Sequence, residues 1–168
     1  MMRKICFMTL VAICCQRAVA QIPQPDPDTT ARHFLIVASI KNLQEVSAGQ
    51  LAVQQAKNAE VRNFGQMMVT DHGHAEQELL QLAKRKNITI PPAASGGIQP
   101  DPMLKNAGAQ FDQLFVHAML AGHENAVQTF QNYATTGKDP DVRTFARQML
   151  PTLQLHLERI KVIEKEVK

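Results

Sequence analysis

The sequence predicts an all-α fold: four long helices arranged as two hairpins and joined by a long crossover loop. Three observations carry that expectation. No proline falls between residues 28 and 90, and apolar residues there recur at helical spacing. The main internal break is "NITIPPAASGGIQPDP" at 87–102, rich in proline and glycine. Finally, residues 58–68 are echoed 81 positions later at 139–149, as expected of a duplicated hairpin.

The first twenty residues stand apart from this fold. "MMRK" is a short basic start, "ICFMTLVAICC" is apolar but too short to cross a bilayer, and "AVA" at 18–20 has the small-x-small form of a cleavage site. The expectation is a secretory signal cut after Ala20, with export to the periplasm, the extracellular space or the outer membrane's surface. A lipoprotein signal would use Cys14 or Cys15, but the residues before them, Ile13 and Cys14, are not the small ones that such processing prefers. All three cysteines leave with the signal, and so do Arg3, Lys4 and Arg17, which account for the formal charge of +3. The remaining chain is neutral and free of thiols, so it offers no basic face to nucleic acid. It contains no run long enough for a membrane span. Nothing in it names a protein partner or small ligand.

Each helix has its own signals. "QIPQPDPD" is a tether over 21–27 that ends at the cap Asp28, and helix 1 is expected over about 29–57. Helix 2 is expected over 59–86, with "KRK" at 84–86 suiting a C-terminus and Asn87 a cap. A short helical turn after Asp101–Pro102 leads to helix 3 over 109–136, which Gly137 ends. Helix 4, over 140–166, opens with Asp139 as cap and Pro140 at its first position. Within the repeat, Asn58 matches Asp139, Val61 matches Val142, Arg62 matches Arg143, Phe64 matches Phe145 and Met68 matches Met149. Two hairpins with one crossover is the pattern of a ferritin-like four-helix bundle.

The seams of these helices hold polar residues where apolar ones are expected. The spacing selects Val61, Met68, His72, Ala75, Leu79 and Leu82 on helix 2. It selects Val116, Leu120, His123, Val127 and Phe130 on helix 3, and Val142, Phe145, Met149, His156, Ile160 and Ile163 on helix 4. On helix 1, Glu45 lies within a face of Ala38, Ala48 and Ala52. Glu45 and His72 are equidistant from the first hairpin turn, and His123 and His156 from the second. At 1.5 Å per residue those distances are about 20 and 25 Å, so all four fall near mid-bundle whichever ends the turns occupy.

A carboxylate and three neutral imidazoles form a donor set for one divalent transition metal such as Zn, Fe, Mn or Cu. Asp71, about 100° around the helix from His72, is placed to orient a histidine of a neighbouring helix. The alternative is a buried Glu–His network that only fixes packing, in a structural or interaction module without metal. Di-iron chemistry of the bundle type needs Glu-x-x-His pairs. Here Val69, Leu120 and Leu153 stand three before the histidines, so the bridging carboxylates are missing. His33, His74 and His117 fall off the seams. The methionines form no close group and read as core filler.

The stretches "LQEVSAGQLAVQQAKNAEVRNFGQMMVTDH" (43–72), "FDQLFVHAMLAGHENAVQTF" (111–130) and "DPDVRTFARQMLPTLQLHL" (139–157) resemble the exported bacterial domain-of-unknown-function 4142 family. Its members are often labelled outer membrane proteins. The resemblance implies a ferritin-like bundle and places Glu45, Asp71, His72, His123 and His156 at the family's recurring polar positions. It implies no established activity.

Overall fold

The computed structural model describes residues 29–92, 98 and 101–167. The leader, the tether over 21–27 and the cap Asp28 lie outside the described residues, as does most of the segment 93–100. Among the described residues five α-helices run in order: α1 (Thr29–Gln55), α2 (Ala59–Arg85), the short α3 (Pro102–Lys105), α4 (Phe111–Thr136) and α5 (Pro140–Glu166). The four long ones form a ferritin-like four-helix bundle. Among the described residues no helix is long and apolar enough to cross a membrane.

Local chemistry sets the ends. Asn58 Oδ1 accepts from the N–H groups of Glu60 and Val61 at 2.7 and 3.3 Å, and Asp139 Oδ1 accepts from Asp141 and Val142 at 3.0 and 3.2 Å. Arg62 then reaches back to the carbonyls of Ala56 and Lys57, as Arg143 does to Gly137 and Lys138. The sequence repeat is thus a repeated way of closing a hairpin, with cap and arginine together satisfying the turn's orphan groups. At the far end of α2, Asn87 takes φ 55° and Ile88 N–H bonds to the Ala83 carbonyl at 2.9 Å. That is a left-handed helix stop sealed by the buried Ile88. The expected start of the third long helix differs slightly, because Gly108–Gln110 form a 3-10 turn before α4 begins at Phe111.

Tertiary contacts orient the hairpins. Lys86, after α2, pairs with Asp139 and Asp141 of the second turn at 2.7 and 3.1 Å. Asp112, opening α4, accepts from the Lys57 and Asn58 N–H groups of the first turn at 3.1 and 2.8 Å. The two turns therefore lie at opposite ends, and α2 runs parallel to α4. Within the first hairpin the backbones touch: a Cβ on Gly49 would lie 2.5 Å from the Gly65 carbonyl oxygen. The small face of α1 is what lets α2 come this close.

The apolar core is in two parts. One gathers Ala48, Leu51, Phe64, Met68, Phe115, Val116 and Ile160 towards the first turn. The other gathers Phe34, Leu35, Leu79, Leu82, Val142 and Phe145 towards the second. Between them, along all four long helices, runs a layer of buried polar side chains.

Candidate metal centre

The middle layer brings Glu45 of α1, His72 of α2, His123 of α4 and His156 of α5 together. The three imidazoles form a near-equilateral triangle, with ring centroids 5.7, 5.4 and 5.3 Å apart. One nitrogen from each lies within 4.8 Å of the other two. Phe64 packs edge-on against His123 and His156, closing the layer on its apolar side.

Each ring is anchored through one nitrogen. His72 Nδ1 donates to Asn42 Oδ1 at 3.1 Å, and Asn42 is oriented by its own Nδ2, which donates to Glu76 Oε2 at 3.3 Å. His123 Nδ1 lies 2.8 Å from the Met119 carbonyl, which can only accept, so the proton is on Nδ1. His156 Nε2 donates to Asp71 Oδ2 at 3.0 Å. Those anchors leave one buried nitrogen per ring: His123 Nε2 and His156 Nδ1 have no hydrogen-bond partner, and His72 Nε2 has the Glu45 carboxylate beside it. Glu45 Oε2 is 2.8 Å from His72 Nε2 and 4.0 Å from His123 Nε2. The closer contact is within ion-pair range and is the main influence that keeps Glu45 ionised.

The electrostatics favour neutral His123 and His156 rings beside an ionised Glu45. Burial pushes His156 down to about 4, only partly opposed by Asp71. Burial also lowers His123, against the pull of Glu45 and the Met119 carbonyl. For Glu45 burial alone would raise the carboxyl, but the contact with His72 and the fields of His123 and His156 hold it below its ordinary range. Neutral imidazoles, anchored on one side by a carbonyl or carboxylate, are the usual form of histidine ligands. The fit to an ion rests on three buried nitrogens converging within 4.8 Å, two of them orphaned and one beside an ionised carboxylate. Tetrahedral nitrogens at about 2.1 Å from a metal stand about 3.4 Å apart, so closure from the observed spread needs only small side-chain shifts.

The family model for a domain of unknown function, DUF4142, matches residues 16–163. The chain belongs to that family. No curated protein matches it in sequence. Solved structures do share its shape. CopM in its Cu(I)-bound form has a TM-score of 0.67 at 15% identity, over 81% of this chain and 96% of that one. CopM in an Ag-bound form obtained by co-crystallization gives 0.67 at 14% identity, with the same coverage. A DUF305 fragment from Deinococcus radiodurans gives 0.71 at 14% identity, over 84% of this chain and 99% of that one. At such identities the likeness shows the fold alone.

In this DUF4142 chain the off-seam His33, His74 and His117 are exposed and take no part in the cluster. Some seam positions need correction. Ala75, Leu120, Val127, Phe130 and Met149 are only half-buried. Glu76, Met119 and Leu153 are buried instead. Glu76 is the main residue that the sequence reading missed: it accepts from Ser39 Oγ at 2.6 Å as well as from Asn42. Its position four residues after His72, on the same helical face, is the signal that points to it.

Proposed function

We propose that this DUF4142 chain is an exported metal-binding bundle. It holds one transition-metal ion on His72 Nε2, His123 Nε2 and His156 Nδ1, with the Glu45 carboxylate as anionic partner. The observation that carries this reading is three buried ring nitrogens facing one another, two of them without a partner and the third, on His72, beside the Glu45 carboxylate. A network kept only for packing would pair His123 Nε2 and His156 Nδ1 as well, since each buried orphan costs about 1–3 kcal/mol. Asp71, Asn42 and the Met119 carbonyl supply the outer contacts that fix ligand tautomers in metal sites.

Among the candidates Zn, Fe, Mn and Cu, a set of three imidazoles and one carboxylate best suits Cu(II) and Zn(II), and Cu(II) binds such sites most tightly. The occurrence of copper-bound and silver-bound forms of CopM on the same fold adds support for copper. The reading assigns binding within the periplasm or outside the outer membrane, and assigns no reaction.

Titration of the metal-free protein with Cu(II) or Zn(II) tests it. One ion per chain is expected, with affinity falling at least about tenfold in His123→Ala. Weak, sub-stoichiometric uptake that His123→Ala leaves unchanged would sink the proposal. A packing role for the layer is favoured by one feature, the mutually satisfied Ser39, Asn42 and Glu76. On that reading His72→Leu leaves the metal-free bundle as stable as before or more so.

A further inference from the structure

A groove of about 970 Å³ runs between α1 and α4. Of the four residues at the centre, Glu45 and His72 line it, while His123 and His156 do not and are fully buried. His72, which lines the groove, is 4% exposed, and its Nε2 lies 2.8 Å behind the Glu45 carboxylate. On the α2–α5 side, Asp71 occupies His156 Nε2 by a hydrogen bond of 3.0 Å.

The α4 wall of the groove is built from small residues: Ala118, Ala121, Gly122 and Ala126. Gly122 is the informative one. It sits mid-helix, where glycine is a poor helix former. A Cβ there would lie 3.4 Å from Glu45 Oε1 and would meet no other atom within 4 Å. Close helix packing therefore does not require this glycine, in contrast to Gly49 and Gly65, whose added Cβ atoms would strike backbone oxygen. What its missing side chain leaves open is the space directly over the Glu45 carboxylate.

We infer that the α1–α4 groove is the mouth of the metal centre, through which a transition-metal cation enters and leaves past Gly122 and Glu45. This rests on the metal-binding reading above. A buried carboxylate at the inner end of the groove meets the arriving cation first and hands it to His72, 2.8 Å away. The mouth admits the ion, and the ligands behind it hold the ion.

The test is the rate at which excess EDTA extracts Cu(II) from the loaded full-length protein. Wild type, Gly122→Ala, Gly122→Leu and Ala118→Leu are compared, and the equilibrium affinity of each is measured separately. Gly122→Leu is expected to slow extraction about tenfold because it fills the space over Glu45. Since its Cβ would lie 3.4 Å from that carboxylate, its rate is corrected for its own measured affinity, whereas Ala118→Leu is expected to leave affinity unchanged. Ala118→Leu, one turn away and exposed, is expected to slow extraction in the same direction, and Gly122→Ala to behave like wild type. Should Gly122→Leu fail to fold, Ala118→Leu carries the test. Wild-type extraction rates in the folded leucine variants would overturn the route while leaving the metal site standing. Failure of wild type to take up Cu(II) would instead overturn the metal-binding reading itself.

Discussion

Each histidine of the centre is held by one nitrogen and offers the other. The three holding groups differ, and Asp71 is the one open to a conservative change. Asp71→Asn keeps an oxygen that can accept from His156 Nε2 but removes the charge that strengthens the ring as a donor. A loss of about tenfold to a hundredfold in metal affinity is expected, measured by competition with a chromophoric chelator. The pH response follows from the same burial. With His156 at about 4 in the fold against 6.5 outside it, the folded chain binds fewer protons than the unfolded one between those values. Stability of the metal-free protein therefore rises with pH across that window and is lost on acidification, and the lowered His123 and Glu45 act in the same sense. Urea titrations at pH 7 and pH 4.5 are expected to differ by about 2–3 kcal/mol; equal values would contradict neutral buried rings. The meeting of Glu45 and the three histidines was legible in the sequence because a polar residue at an apolar seam position stands out, and that of Asp71 because it lies about 100° around the helix from His72. Asn42 and Ser39 were not, because α1 presents small residues around much of its surface and its phase is weakly marked.

At the level of the elements, the caps and the glycine crossing make separate predictions. Asn58→Ala and Asp139→Ala should each cost about 1 kcal/mol by chemical denaturation. The larger loss is expected at Asp139, which also holds Lys86 at 2.7 Å. Gly65→Ala would push a methyl to 2.6 Å from Ala52 Cβ and 2.9 Å from the Gly49 carbonyl oxygen, so about 1–3 kcal/mol of destabilisation is expected. Gly122→Ala, whose Cβ would meet only Glu45 Oε1 at 3.4 Å, should stabilise by up to about 1 kcal/mol. The two glycines test the crossing as a pair: equal responses would mean that α1 and α2 are not in backbone contact. Helix existence was readable because caps, periodicity and the duplicated "VR" turn agree. Which faces meet was less so, since a seam chosen by spacing alone put Ala75 where Glu76 lies.

For the whole molecule, the polar layer divides one bundle into two apolar cores and touches all four long helices. An ion there would cross-link both hairpins at mid-height. Loading should therefore raise the thermal midpoint, with about 2.7 kcal/mol gained at free metal a hundredfold above Kd, and EDTA should reverse it. The bundle was legible because a duplicated hairpin with one long crossover admits few packings. The α1–α4 groove was not, because the separation of neighbouring helices depends on side chains from both, and no single helix encodes it. The most direct test of the central claim is an anomalous difference map from crystals of the Cu(II)-loaded or Zn(II)-loaded protein. The account predicts one strong peak at about 2.0–2.1 Å from His72 Nε2, His123 Nε2 and His156 Nδ1. Metal peaks only at surface histidines, with water or direct hydrogen bonds joining the three buried nitrogens, would contradict it.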